Sequence, residues 1–398
     1  MIHLNKKIVG TEKGMKIMNT KSQIIRRYDI DWLRVLAVIL LIPFHSMHIF
    51  ILQPYSVVYI KNQIGISYFE LITQFIHEFH MPLLFILAGS SAYLALQVRS
   101  VNRYIQERFR RLFIPAVTGI FFLVPPMTYI YKISKGDDLS FFTHFKHFFT
   151  NNPGDLSGLT GAFTPAHLWF IIFLFMFSLV GAPLFIILNK HSSLLKKLGN
   201  FLTYRFFLLL YTIPIALAAS TNILGDKNPL VYFLIFLLGY ILMTNEDYQR
   251  AINRDKIVYL ILGIIFEIIL QCYSNNFPAW SLIWISYELM RTANRLLLVF
   301  VILGFGNKLL NHPSKILSYL SKSSFSVYIL HLPINTFVGY FIVKTNLGLS
   351  LKFFLIILLT TLVSFAFYEV IRRIDFLCFL LGIKTGNKLN PNKQVLSN

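Results

Sequence analysis

The chain contains 398 residues, of which 56% are hydrophobic, 16% aromatic and only 14% charged, and its formal net charge is +20. Soluble domains carry about 25% charged residues, so this composition excludes a water-soluble globular protein and indicates a polytopic membrane protein. The two cysteines, Cys272 and Cys378, lie far apart in apolar segments, which argues against a disulfide framework and a thiolate metal site.

Ten apolar segments predict an all-α polytopic membrane helix bundle with about ten transmembrane helices. They cover residues 29–52, 70–96, 112–131, 167–188, 206–223, 230–244, 257–274, 281–306, 325–343 and 350–371. The membrane domain is expected over 28–380, between a basic N-terminal tail (1–27) and a C-terminal tail (381–398).

The basic residues give the predicted topology. Most of the 37 lysine and arginine residues fall in the two tails and in alternate loops. This asymmetry predicts cytoplasmic termini and a multi-pass protein of the inner (cytoplasmic) cell membrane. The lipid bilayer is therefore the expected partner of the basic surface, and nucleic acid is excluded.

The first apolar segment carries Asp31, Arg34 and His45. Eleven helical steps of about 100° bring His45 to within roughly 20° of Arg34, three turns further along the helix. Ionisable groups in a bilayer cost several kcal/mol unless they face protein or water, so these three are candidate catalytic residues. The alternative is that Asp31 and Arg34 pair to anchor the helix end, while His45 donates to a nearby carbonyl.

The second segment contains His77, Glu78 and His80, followed by the small residues Gly89-Ser90-Ser91-Ala92. His80 is expected at a depth similar to that of His45, where it would line the site. Two histidines and a carboxylate are suitable zinc ligands, but this spacing is weak evidence and no metal is predicted. Ser90 and its neighbours indicate close helix packing, or alternatively the lining of an acyl or pantetheine channel.

The next connection is rich in arginine and includes Arg108, Arg110 and Arg111. Topology alone explains basic residues in a cytoplasmic loop. All five basic residues between positions 97 and 111 are nevertheless arginines, which suit bidentate phosphate recognition. These three arginines are therefore candidates for binding a cytoplasmic pyrophosphate such as that of coenzyme A.

Later segments supply further candidates for lining the site. Trp169 is one of them; it follows His167 at the start of the fourth segment, at the outer interface, where aromatic residues often anchor a helix. Arg291 shares a helix face with Glu288 and Arg295; the three can neutralise one another, or a spare arginine can line a cavity. His331 lies within the ninth segment, and Glu369 ends the tenth.

Taken together, these segments resemble the acyltransferase 3 family of integral membrane acyltransferases, most closely the branch that contains glucan biosynthesis protein C. The matching pieces run in order along nearly the whole chain: Asp31-Trp32-Leu33-Arg34 with His45, Phe79-His80-Met81-Pro82, Arg108-Phe109-Arg110-Arg111-Leu112, His167-Leu168-Trp169-Phe170, Ser324-Phe325-Ser326-Val327-Tyr328 with His331, and Tyr368-Glu369.

The resemblance implies an acyltransferase that moves an acyl group, commonly acetyl or succinyl, from cytoplasmic acyl-CoA (acetyl-CoA or succinyl-CoA) to a hydroxyl of an extracytoplasmic glycan. His45 would be the catalytic residue, as general base or as transient acyl carrier. Arg34 and the arginines at 108, 110 and 111 would engage the CoA phosphates or orient the site. The alternative function is a transporter or exporter of a glycan or small solute, with the buried His, Arg and Glu side chains as a relay. A homo-oligomer is one alternative for the quaternary structure.

Overall fold

The computed structural model describes residues 26–52, 60–151, 159–204, 206–221, 223–272, 277–278 and 281–383. The predicted tails, 1–27 and 381–398, lie almost wholly outside these residues. Within the described ranges every regular element is a helix, so the predicted all-α class is confirmed.

The described residues form fifteen α-helices. They are α1 (Tyr28–His48), α2 (Tyr68–Leu96), α3 (Val101–Arg108), α4 (Ile114–Phe122), α5 (Val124–Ser134), α6 (Phe141–Thr150), α7 (Trp169–Lys190), α8 (Ser192–Leu202), α9 (Thr212–Ala219), α10 (Pro229–Leu242), α11 (Glu246–Cys272), α12 (Leu282–Leu310), α13 (Lys315–Ile342), α14 (Leu349–Ile371) and α15 (Asp375–Leu380). A π-helix joins α3 to α4 (Phe109–Phe113), and 3-10 turns cover Ala166–Leu168, Phe207–Tyr211 and Gly225–Lys227.

Eight helical segments in the described residues are long and apolar enough to cross a membrane. The two other predicted spans, at 206–223 and 257–274, are not among these eight segments. The apolar stretch at 206–223 is a 3-10 turn followed by the short helix α9, and its 13 helical residues, Phe207–Ala219, fall short of the roughly 20 that a full crossing needs. The described part of the stretch at 257–274 is the apolar half of α11, which ends at Cys272 and whose first half is charged.

The long helices alternate in direction, and this alternation defines two ends of the bundle. We call the end at which α1 begins, at Tyr28, the proximal end, and the end at which α1 stops, at His48, the distal end. Helix α1 lies at the centre of the bundle, in contact with α2, α12, α13 and α14. Side chains on α1 therefore face protein on most sides.

Helices α2 and α10 cross so closely that their backbones touch. A Cβ atom at Gly89 would lie 1.9 Å from the carbonyl oxygen of Phe236, and one at Gly239 would lie 2.1 Å from that of Ile86. Ser90 strengthens the contact by donating to the Gly239 carbonyl at 3.0 Å. The small-residue patch therefore serves helix packing at this crossing.

Candidate active site

Three buried histidines from three separate elements meet near the distal end of the bundle. The ring centroid of His331 lies 5.1 Å from that of His45 and 5.4 Å from that of His167. His331 is 0%, His167 8% and His45 9% exposed, so none of the rings is turned outward. We call these three side chains the imidazole cluster.

His45 lies in the last turn of α1, beside a proline. Pro43 has no N–H, so it leaves the Ile39 carbonyl without its usual helical donor and loosens the helix at this point. The Phe44 ring contacts His45 edge-on at 5.2 Å and stacks with His80 at 6.3 Å. Helix α1 ends at His48, four residues earlier than the predicted segment, which puts His45 near the distal surface.

Helix α13 carries His331 and also contacts the ring of His167. His331 contacts the carbonyl of Tyr328, one turn earlier, through Nδ1 at 2.6 Å. Two residues later Pro333 lacks an N–H and so frees the carbonyl of Ile329. Nε2 of His167 contacts this free carbonyl at 2.9 Å. The hydroxyl of Tyr328 donates to the backbone carbonyl of His167 and closes the link.

His80 borders the imidazole cluster from α2. Its Nε2 lies 2.7 Å from the carbonyl oxygen of Ala37 on α1, and the side chain is 3% exposed. This contact ties α2 to α1 two turns from His45. Among the described residues, no three His, Cys, Asp or Glu side chains are arranged to hold a metal ion.

Lys61 contacts the distal end of α1. Its Nζ donates to the carbonyls of His48 at 2.9 Å and Ile51 at 2.7 Å. Burial, and to a smaller degree the nearby charge of Lys135, lowers the pKa of Lys61 to about 8. The lysine thus satisfies carbonyls at the helix C-terminus, where a cation is favoured.

Arg34 lies on the same face of α1 as His45, about 16 Å closer to the proximal end. Its guanidinium donates to Asp31 at 3.3 Å and to the hydroxyl of Ser91 on α2. Asp31 also accepts from Arg26 at 2.9 Å. The predicted Asp31–Arg34 pair is therefore formed, and a second helix holds the arginine through Ser91.

In the structure, the three arginines predicted to bind phosphate do not form a single group. They lie at the junction of α3 with the π-helix rather than in a loop. Arg108 lies over the ring of Tyr104 at 4.8 Å and close enough to Arg34 for the two charges to repel each other. Arg111 is half-buried, whereas Arg110 is exposed. Arg34 and Arg108 thus form one cationic region, and Arg110 lies apart from it.

Arg291 belongs to an ion-pair cluster near the distal end. It contacts Glu78 of α2 at 3.3 Å, and Arg295 contacts the other oxygen of the same carboxylate at 2.6 Å. Arg291 also approaches Asp226 at 3.5 Å and Glu288 at 3.8 Å. Both arginines therefore have carboxylate partners, and Glu78 supplies a charge that the sequence pattern of α12 alone did not indicate.

The remaining predicted residues lie outside the imidazole cluster. Ser90 faces α10, as described above. Trp169 packs against Tyr232 at 5.4 Å and Phe85 at 6.1 Å. Glu369 lies near the proximal end of α14, where it contacts Arg372 at 2.6 Å and accepts from Tyr319 at 2.8 Å.

Two residues at the site were not among the predicted site residues. His167 joins the imidazole cluster, and Ser91 holds Arg34. The signal for His167 was a histidine two residues before Trp169, at the predicted outer interface. The signal for Ser91 was its place in the small-residue patch, where its neighbour Ser90 had seemed equally suited.

The chain is similar to known proteins over most of its length. The family described as acyltransferase domain matches residues 27–369. The chain is similar to glucans biosynthesis protein C of Salmonella schwarzengrund (strain CVM19633), with 24% identity over 384 residues that cover 90% of this chain and 95% of that protein. The protein of the same name from Salmonella paratyphi B (strain ATCC BAA-1250 / SPB7) is 23% identical over 383 residues, with the same coverage. No solved structure matches the chain.

Proposed function

The chain belongs to the acyltransferase domain family of membrane proteins, and from this premise we propose that it transfers an acyl group from acyl-CoA to a glycan hydroxyl with His45 as the catalytic residue. In this proposal the proximal end faces the cytoplasm and the distal end faces outward. The donor is acetyl-CoA or succinyl-CoA, and the acceptor is an extracytoplasmic glycan. The similar proteins are named for glucan biosynthesis, which favours a glucan as acceptor.

The observation that carries the proposal is the shared face of Arg34 and His45 on α1. A guanidinium near the proximal end and an imidazole near the distal end are separated by about 16 Å along the helix. The extended pantetheine arm of CoA can cover such a length. Phosphates held at the arginine end would therefore place the thioester beside the imidazole cluster.

The surroundings of Arg34 and Arg108 suit an anionic group. The two guanidinium groups lie close enough to repel each other, and a phosphate between them would relieve that repulsion. Arginine binds phosphate through two parallel N–H groups, which also fixes orientation. This cationic region is where the proposal seats the pyrophosphate of the donor.

The distal imidazoles supply the chemistry of the transfer. A hydroxyl attacks a thioester carbonyl more readily when a positioned imidazole takes its proton, an effect typically worth about 10²–10⁴-fold in rate. Burial keeps water away from the thioester, which protects it from hydrolysis. An acceptor glycan would enter from the distal surface, which is close to His45 because α1 ends at His48.

A reconstituted assay tests the proposal. The protein is inserted into liposomes and supplied with labelled acetyl-CoA or succinyl-CoA at the proximal surface and glucose oligosaccharides at the distal surface. We expect labelled ester on the oligosaccharide with the wild type and none with His45→Ala. As a control, His191→Ala removes an exposed histidine of the proximal end and is expected to leave transfer unchanged.

The same assay separates an enzyme from a transporter. Movement of oligosaccharide across the bilayer without ester formation, or full activity in His45→Ala, would contradict the proposed function. Equal insertion of both variants, measured by their yield in the liposomes, is required for the comparison.

A further inference from the structure

Two buried nitrogen atoms in the imidazole cluster lack a hydrogen-bond partner among the described residues. They are Nε2 of His331 and Nδ1 of His167. An unpaired buried polar atom destabilises the folded state, so such atoms in a native protein require an explanation. Because the two rings contact each other edge to face at 5.4 Å, one explanation should cover both atoms.

The opposite edge of each ring fixes its tautomer. A carbonyl oxygen only accepts, so the nitrogen that touches it carries the hydrogen. His331 therefore has its hydrogen on Nδ1, which donates to Tyr328, and His167 has its hydrogen on Nε2, which donates to Ile329. In the neutral rings that burial favours, both unpartnered atoms are lone-pair acceptors.

Two acceptor nitrogens on adjacent rings therefore have no donor among the described residues. A proton bound to Nε2 of His331 would place a positive charge beside the ring of His167, which presents a lone pair at Nδ1. The arrangement depends on Pro333, because the carbonyl that orients His167 is free only when residue 333 has no N–H. The cluster is thus built to receive a proton at His331.

Building on the proposed function, we propose that His331 is the base that removes the proton of the acceptor hydroxyl, and that His167 positions it and stabilises the resulting imidazolium. The hydroxyl oxygen bonds to the acyl carbon while its proton moves to Nε2 of His331. The carbon–sulfur bond breaks, its electron pair leaves on the sulfur of CoA, and the thiolate then takes the proton from His331. In this proposal His45, whose ring centroid lies 5.1 Å from that of His331, contacts the acyl group.

The test compares two kinds of acceptor in the same liposome assay. Glucose oligosaccharides must lose a proton to react, whereas hydroxylamine is uncharged and nucleophilic at neutral pH and needs no base. His331→Asn keeps an amide N–H for the Tyr328 carbonyl and removes Nε2. We expect it to lower transfer to the oligosaccharide by about 10²–10⁴-fold and transfer to hydroxylamine, after subtraction of the protein-free rate, by less than about threefold.

Two further variants complete the design. His167→Gln keeps a donor for the Ile329 carbonyl and removes the acceptor nitrogen, so it should lower only oligosaccharide transfer, by about tenfold or more. If His331→Asn does not fold, this second variant carries the test. His144→Gln alters a buried histidine outside the cluster and should leave both transfers unchanged.

The outcomes separate the two levels of the proposal. Full oligosaccharide transfer by His331→Asn, or an equal loss with both acceptors in the folded variants, overturns the role of His331 as base. Absence of any acyl transfer by the wild type would instead contradict the proposed function itself. Loss of both transfers in His45→Ala alone agrees with a division of roles between His45 and His331.

Discussion

Arg34 divides its guanidinium between two helices, with one nitrogen on Asp31 and the other on Ser91. Lysine keeps the charge but offers a single ammonium instead of a planar fork. We therefore expect Arg34→Lys to lower the rate of transfer at low acyl-CoA concentration by about tenfold or more. The measurement is the initial rate of ester formation over a range of acyl-CoA concentrations.

Ser91→Ala serves as the comparison for Arg34→Lys. It removes one of the two partners and leaves the guanidinium and Asp31 in place, so its loss of rate should be smaller. If Arg34→Lys matched the wild type at low donor concentration, the fork geometry would have no part in donor binding.

His144 gives a prediction for the dependence of stability on pH. It lies in α6, outside the membrane spans, where its Nε2 contacts the Thr128 hydroxyl at 3.0 Å. Burial lowers the pKa of His144 below its ordinary value of 6.5. The unfolded chain therefore binds this proton first as the pH falls, so stability is lost below about pH 6.5 and is unaffected above it.

Thermal unfolding in detergent checks this sign. The wild type should lose more stability between pH 7.5 and pH 5.5 than His144→Gln, which keeps a polar side chain without a titratable ring. Between pH 7.5 and pH 8.5 the two proteins should show the same change. A steeper acid dependence in the glutamine variant would refute the assignment to His144.

At the level of residues, the sequence predicted relations between side chains on one helix and missed contacts between side chains on different helices. The shared helix face of Arg34 and His45 follows from helix geometry alone. Asp31 and Arg34 are three residues apart on the same helix and form an ion pair. The partner of Arg291, by contrast, is Glu78 on another helix, 213 positions away in the chain. No local pattern contains such a contact.

At the level of elements, the prolines within helices do the most to shape the site. Pro43 and Pro333 both interrupt long helices, α1 and α13, beside histidines of the imidazole cluster. A proline inside a helix frees the carbonyl four residues earlier. Only the packing of the 3-10 turn Ala166–Leu168 against α13 shows that His167 takes the carbonyl freed by Pro333.

Pro333→Ala tests this role directly. Alanine restores an N–H that can donate to the Ile329 carbonyl, so His167 loses its exclusive partner and its fixed tautomer. We expect transfer to oligosaccharides to fall by about tenfold or more, although removal of a proline from a helix interior should leave thermal stability unchanged or higher. The initial rate and the unfolding temperature are measured on the same preparation.

Pro183→Ala is the matched control, because Pro183 also lies inside a membrane helix, α7, and is not in contact with the imidazole cluster. It should leave the rate unchanged. Equal loss of activity in both variants would show that helix flexibility matters in general and that the tautomer of His167 does not.

At the level of the whole molecule, the structure has two chemically different ends joined by one central helix. Arg34 and Arg108 lie toward the proximal end, and the imidazole cluster lies toward the distal end. The helical class and eight of the ten predicted spans, which match long apolar helices in the described residues, followed from composition and hydropathy. The broken stretch at 206–223 did not, because its apolar residues have the composition of a span but lack the uninterrupted helix.

The orientation of these two ends is the last prediction. Lysine and arginine concentrate in the connections at the proximal end, which predicts that this end faces the cytoplasm. In a variant with Cys272→Ser and Cys378→Ser, a single cysteine replaces either Asp138, exposed near the distal end, or Arg250, exposed near the proximal end. A membrane-impermeant maleimide added to intact cells should label Asp138→Cys and reach Arg250→Cys only after permeabilisation. The reverse pattern would place the imidazole cluster on the cytoplasmic side, where an external glycan has no access to it, and the proposed transfer across the bilayer would fail.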